Sequence, residues 1–241
     1  MEKQDSGNRL LDSLSRDDLH IIAPALRSHD LDRGTILITP GEDVVDAHFP
    51  ADHAITSLVI SLSDGKSAEA AMIGIEGALG GVISHGYKPA FARGAVEVGG
   101  SILSLSVAAL DEARQRSPSL CDHFTRYADC LLAQALQSVV CNAVHDFESR
   151  LARWLLSVQD RLLSNELFVT QEFVASMLGV RRTYATNIVG ALERRGAIRT
   201  GRGLIAIVDR DELEKIACDC YGYLRRHFER VLPGVYPVFD T

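Results

Sequence analysis

Six arginines, Arg181, Arg182, Arg194, Arg195, Arg199 and Arg202, fall between Gly179 and Gly203 with Glu193 as the only acid among them. A guanidinium donates paired hydrogen bonds to a phosphate, or to O6 and N7 of a guanine, so such a cluster suits nucleic acid. The chain as a whole carries a net charge of −7. That excludes a protein whose entire surface embraces nucleic acid and makes any DNA site a local one. Positioning these side chains calls for a helix-turn-helix. Thr170 can cap a short helix holding Phe173, Val174 and Leu178, and Gly179 supplies the positive φ that ends it. A second helix, from Arg181 or Arg182 to about Arg195, would bury Ala185, Ile188, Val189 and Leu192. Its outward face then carries Arg181, Arg182, Thr183, Thr186, Asn187 and Arg194. After Gly196, the run AIR, the tip Thr200-Gly201-Arg202-Gly203 and the returning LIAIVD predict a two-stranded wing.

Other chemistries find less support. The five cysteines, Cys121, Cys130, Cys141, Cys218 and Cys220, match no common zinc spacing and read as reduced thiols. Cys218-Asp219-Cys220 lacks two further ligands by spacing, so no metal is expected. His48, His53 and His85 are scattered through a β-rich region, and nothing in their spacing brings them together. No nucleophile paired with a base and no carboxylate pair at a meaningful spacing is found, so the expectation is a non-enzyme with no catalytic residue and no cofactor.

The rest of the chain reads as two modest domains and a connector. Its 241 residues exceed the usual size of one domain, and 46% hydrophobic with 24% charged residues is ordinary for a folded globular protein. MEKQDSGNRLLDSLSRDD lacks the apolar core of a signal peptide, and no run approaches the roughly 18 to 20 apolar residues that span a bilayer, so a cytoplasmic location without membrane contact is expected. Leu10, Leu11, Leu14, Leu19, Ile22 and Leu26 predict short helices within residues 6–31. From Gly34 to Val107 the signal becomes short β-rich runs: TILI (35–38), AHF (47–49), ITSLVISL (55–62), AEAAMI (68–73), GAVEV (94–98) and ILSLSV (102–107), separated by turn residues. Such a series implies a β-sandwich or a barrel-like roll.

Val107 to Arg116 forms a further short helix, and Ser117-Pro118 starts a long one, with serine as cap and proline in the first turn. Leu120, Phe124, Tyr127, Leu131, Ala135, Leu136 and Val139 make an apolar stripe along it. The stripe could lie on its own β-domain. Leu131 to Val140, apolar around most of its circumference, favours a dimer seam with Phe124, Tyr127, Leu131 and Leu136 as interface residues. Asn142 to Val158 predicts another amphipathic helix.

On TQEFVASMLGVRRTYATNIVGALERRGAI and on the earlier run LDRGTILITPGEDVVDAHFPADHAITSL, the chain resembles the Crp/Fnr family of bacterial transcription regulators along nearly its whole length. The resemblance implies an α+β fold: a double-stranded β-roll sensor domain (1–116), a long central dimerisation helix (117–143), a winged helix-turn-helix DNA-binding domain (144–233) and a tail (234–241). It also implies a homodimer on a palindromic operator in double-stranded DNA, with RNA polymerase as a further partner. Gln171 and Arg181 would approach phosphates, Arg182, Thr183 and Asn187 would face bases, and Thr186 and Arg202 would complete the interface. The family's iron-sulfur version uses an N-terminal cysteine cluster, which a first cysteine at Cys121 does not supply.

In members that bind cyclic nucleotides, a Gly-Glu-Leu/Ala turn precedes an Arg-Ser/Thr-Ala step whose arginine pairs with the phosphate. Here MIGIEGALGGVISHGYKPAFARGAVEV (72–98) reverses the first element at Glu76-Gly77 and puts Gly94 where a hydroxyl is expected. The chain therefore resembles a divergent branch without an intact phosphate motif. Gly74, Glu76, Gly77 and Arg93 remain the candidate ligand-binding residues, for an effector that is unknown or lost. An alternative reading is a small-ligand-binding module whose helix-turn-helix serves protein contacts.

Overall fold

A computed structural model describes residues 5–82 and 88–239 of the chain. Two short helices, α1 (Arg9–Asp12) and α2 (Arg16–Ile22), open it, capped by the side chains of Asn8 and Ser15. Seven strands follow: β1 (Arg27–Leu31), β2 (Ile36–Ile38), β3 (Asp46–Pro50), β4 (Ile55–Ser61), β5 (Ser67–Ile73), β6 (Arg93–Val98) and β7 (Gly100–Ser106). They form two antiparallel sheets, in the orders β1-β7-β3 and β2-β6-β4-β5. The Ser63-Asp64-Gly65 turn closes the β4–β5 hairpin because Gly65 adopts a φ of +82°, which a side chain would strain. Six of the seven strands coincide with the β-rich runs of the sequence. The seventh, β1, lies within the segment expected to be helical. Its residues RSHDL are mostly exposed and paired along one side only, so no hydrophobic alternation marks it.

Ser106 caps α3 (Val107–Arg116), and Ser117 caps α4 (Pro118–Val144) by accepting the Leu120 amide, with Pro118 in the first turn as expected. The inner face of α4 packs on its own β-roll. Phe124 and Tyr127 are fully buried there, the Phe124 ring lies 6.1 Å from that of Phe49, and the Tyr127 hydroxyl donates to the Ala78 carbonyl at 2.9 Å. Leu131 closes a smaller cluster with Ile38, Ile73 and Leu79. Phe124, Tyr127 and Leu131 are therefore packed in the chain's own core, which corrects their expected place in a dimer seam. What α4 leaves exposed is Leu132, Leu136, Val139, Val140 and Val144, a stripe on its other side. The sequence periodicity merged two apolar faces into one.

The helix ends at His145, and Asp146 caps α5 (Phe147–Leu162), so the break falls several residues later than Asn142, where the amphipathic pattern was expected to begin. The C-terminal unit comprises α5, β8 (Glu166–Leu167), α6 (Gln171–Met177), α7 (Arg182–Arg194), β9 (Ile198–Gly201), β10 (Leu204–Ile207), α8 (Arg210–Ile216) and α9 (Cys220–Val231). Its small sheet has the order β8-β10-β9. Its core, built on Leu151, Trp154, Leu155, Val174, Ala185 and Val189, runs on without a break into Ile55, Val59 and Met72 of the β-roll. No helix among the described residues is long and apolar enough to cross a membrane.

Candidate nucleic-acid interface

Helices α6 and α7 form the expected helix-turn-helix. Thr170 caps α6 by accepting the Phe173 amide, Gly179 turns the chain at a φ of +67°, and α7 begins at Arg182. Ala185, Val189 and Leu192 anchor α7 in the core, with Ile188 half-buried beside them. Arg181, Arg182, Thr183, Thr186 and Asn187 are all exposed on its first two turns. The Arg182 guanidinium lies 3.6 Å from the Glu172 carboxylate, an exposed pair that solvent screens and that leaves the arginine free to turn. Gln171 accepts the Thr186 hydroxyl at 2.9 Å, tying the start of α6 to the outer face of α7.

Strands β9 and β10 make the wing, with Arg199 and Arg202 exposed on it. Glu193, the single acid of this stretch, is engaged locally: its carboxylate accepts the Thr200 amide at 2.7 Å and the Thr200 hydroxyl at 3.0 Å. These bonds, from the backbone amide first, hold Glu193 below the ordinary carboxylate range and fasten the wing to α7. The outcome is a basic surface on which Arg182, Arg194, Arg199 and Arg202 are exposed.

The expected ligand-facing run behaves differently. Glu76 is buried and accepts Arg161 Nε from α5 at 2.8 Å, while both of its oxygens accept the Gly74 amide. A Cβ at Gly74 would press on the Arg161 side chain, and one at Gly77 would collide with the Tyr127 ring. These glycines, named as candidate ligand-binding residues, permit close packing against Arg161 and Tyr127, and Glu76 serves an internal ion pair. Arg93 Nε is buried without a hydrogen-bond partner among the described residues. A cavity of about 410 Å³ in the β-roll is lined by Ile38, Val44, Leu58 and Leu131 among others, and its one charged lining residue among those described, Lys88, is paired with Asp111 at 2.6 Å. His85 lies outside the described residues. His48 and His53 stand apart, His53 bonding to the Leu162 carbonyl and His48 sitting in β3.

Sequence spacing did not unite the C-terminal cysteines with anything, yet folding brings Cys141 and His145 of α4 to Cys218 and Cys220. The readable signal was Cys141 and His145 at i and i+4, one face of a helix.

The helix-turn-helix unit also rests on the β-roll. Trp154 Nε1 donates to Glu69 of β5 at 3.2 Å, and Arg33 stacks over the Phe173 ring at 4.3 Å. Desolvation under α5 pushes Glu69 up from 4.5 to about 7, against the opposing pull of Arg153 and Arg161 and with Glu97 adding to it. A carboxyl raised on folding contributes stability that is complete below pH 4.5 and is lost as the pH rises to 7. Glu69→Gln should therefore flatten the pH dependence of thermal unfolding across that window. An unchanged profile would place the titration elsewhere.

Comparison with known proteins agrees with this anatomy. Residues 149–216 match the Crp-like helix-turn-helix domain. The transcriptional regulator SdrP of Thermus thermophilus is 28% identical over 106 residues, which are 42% of this chain and 52% of that protein, so the match spans about half the length of this curated relative. A putative regulator of the Crp/Fnr family from Eubacterium rectale superposes with a TM-score of 0.66 at 16% identity, over 86% of this chain and 96% of the other. FixK2 from Bradyrhizobium japonicum gives 0.69 at 15% identity, over 80% and 98%.

Proposed function

From a chain that has the fold of Crp/Fnr regulators and carries a Crp-like helix-turn-helix domain, we propose a sequence-specific transcription regulator that binds double-stranded DNA as a homodimer on a palindromic operator. The observation that carries this reading is the exposed basic surface of α7 and the wing, in a chain whose net charge is −7. A surface of that sign costs the fold nothing when a phosphate backbone lies on it, and it releases counterions on binding. In this reading Arg182, Thr183 and Asn187 face base edges. Gln171, Arg181, Thr186 and Arg202 contact or orient the backbone.

The two recognition helices of a dimer would enter successive major grooves, about 34 to 36 Å apart. The exposed apolar side of α4 supports a second copy as the dimer partner, since five large aliphatic side chains there have no cover within the subunit. The β-roll is read as a sensor whose apolar cavity suits an effector that is not held through a phosphate.

Selection of bound fragments from a random duplex pool tests the reading. The wild-type chain should recover a palindrome. Arg182→Ala should lose about 1 to 3 kcal/mol per half-site on the preferred site and relax selection at one symmetric position in each, as loss of a bidentate guanine contact requires. Arg202→Ala should weaken binding evenly across sequences and lower the salt slope by about 1 per half-site. Binding that is insensitive to salt would instead favour a helix-turn-helix used for protein contacts.

A further inference from the structure

The end of α4 and the start of α9 converge on four potential metal ligands. The Sγ atoms of Cys141, Cys218 and Cys220 and a ring nitrogen of His145 all lie within 4.8 Å of one another. Cys141 Sγ and Cys218 Sγ are 3.5 Å apart, and Cys220 Sγ is 3.5 Å from His145 Nδ1. A tetrahedral zinc site with Zn–S bonds of about 2.3 Å and Zn–N bonds of about 2.0 Å has ligand–ligand edges of roughly 3.5 to 3.8 Å, so these separations fit it with little movement. The three cysteines are buried and His145 is half-buried.

The surroundings suit a charged metal complex. Gln137 Nε2 points at Cys220 Sγ from 2.9 Å, the kind of hydrogen bond that orients a thiolate ligand. Three thiolates and one neutral imidazole around Zn²⁺ carry a net charge of −1. Two guanidinium groups, Arg150 and Arg153, lie within electrostatic reach of Cys141, and the Nε of each is buried without a hydrogen-bond partner among the described residues. These cations are placed to offset that charge.

We propose that Cys141, His145, Cys218 and Cys220 form a closed Cys₃His site for Zn²⁺. On binding, the thiol protons leave to solvent and no oxidation occurs. All four positions are filled by the protein, which makes the site structural and not catalytic. It brackets the joint between α4 and α5 at His145 and Asp146 and pins that joint to the start of α9. The proposal goes beyond the DNA-binding reading and does not depend on it.

The test is a Co²⁺ titration of the full chain, reduced and stripped of metal, followed by competition with Zn²⁺. One Co²⁺ should bind per chain with the thiolate charge-transfer and intense d–d absorption of a tetrahedral site, and Zn²⁺ should abolish both. Cys218→Ser and His145→Ala should lose the signal, Gln137→Ala should bind about 10-fold more weakly, and the Cys121→Ser/Cys130→Ser double variant should behave as wild type. The wild-type titration decides the matter even where a variant fails to fold. Absence of these bands in the reduced wild-type chain overturns the site, as does their persistence in a folded Cys218→Ser/Cys220→Ser variant. Conversion of Cys141 and Cys218 to a disulfide in a chain that takes up no metal when reduced also overturns it, in favour of a redox pair.

Discussion

Arg161→Ala should lower the stability of the protein by about 3 to 5 kcal/mol, read as an earlier denaturant midpoint, because it strands Glu76 as a buried charge. Both side chains of the pair are almost wholly shielded, at 1% and 2% exposure. Arg161 also donates to the Ser157 carbonyl and the Tyr236 hydroxyl, so truncation opens a cavity lined by polar atoms as well. Glu76→Gln should be similarly harmful, for it leaves the guanidinium uncompensated. Replacing both partners by apolar groups, as in Glu76→Leu with Arg161→Met, should recover much of the loss, since a buried pair is often no better than a well-packed apolar contact of similar volume. Single variants that unfold at the wild-type midpoint would mean that the pair is solvated and contributes no net stability. The pair joins the loop after β5 to α5. Its rupture should therefore be felt in both domains together.

Leu136→Asp with Val139→Asp should convert the proposed dimer to a monomer and reduce operator affinity by roughly 10²- to 10⁴-fold, the factor that joining two half-site contacts supplies. Each substituted face occurs twice in a symmetric seam, so four carboxylates would meet in an apolar interface without partners. Sedimentation at micromolar concentration and a mobility-shift titration on one operator measure the two consequences separately. Both residues are exposed in the subunit, at 59% and 68%, so the monomer itself should keep its melting temperature. Leu131→Asp is a different experiment, because that side chain is core and the variant would unfold. A dimer that survives the Leu136 and Val139 substitutions would move the seam off this face of α4.

The contrast between these two positions shows what the sequence could and could not convey. The helix-turn-helix was legible nearly to the residue, because Thr170, Gly179 and the spacing of Ala185, Val189 and Leu192 are local rules of capping and periodicity. The β-runs were legible for the same reason, apart from β1, whose polar edge lacks any alternation. Along α4, periodicity revealed apolar residues but not which of two neighbours each would meet. The Glu76–Arg161 pair spans 85 positions, and the cysteine cluster joins α4 to residues 77 positions away. No spacing rule reaches that far. Glu76-Gly77 invited comparison with a phosphate-binding turn because its composition is the same. Only the packing of Arg161 and Tyr127 against those glycines identifies it as an internal joint.

The chain has one tryptophan, and Trp154 is the residue whose indole bridges α5 to Glu69 on strand β5 of the β-roll. Emission from this protein is therefore a single-source optical signal located at the boundary between its two halves. Separation of the helix-turn-helix unit from the β-roll would expose the indole to water and shift its emission to the red, and protonation of Glu69 would change its quenching. Any event that parts the two units could be followed in unlabelled protein, in real time, by the colour of one side chain.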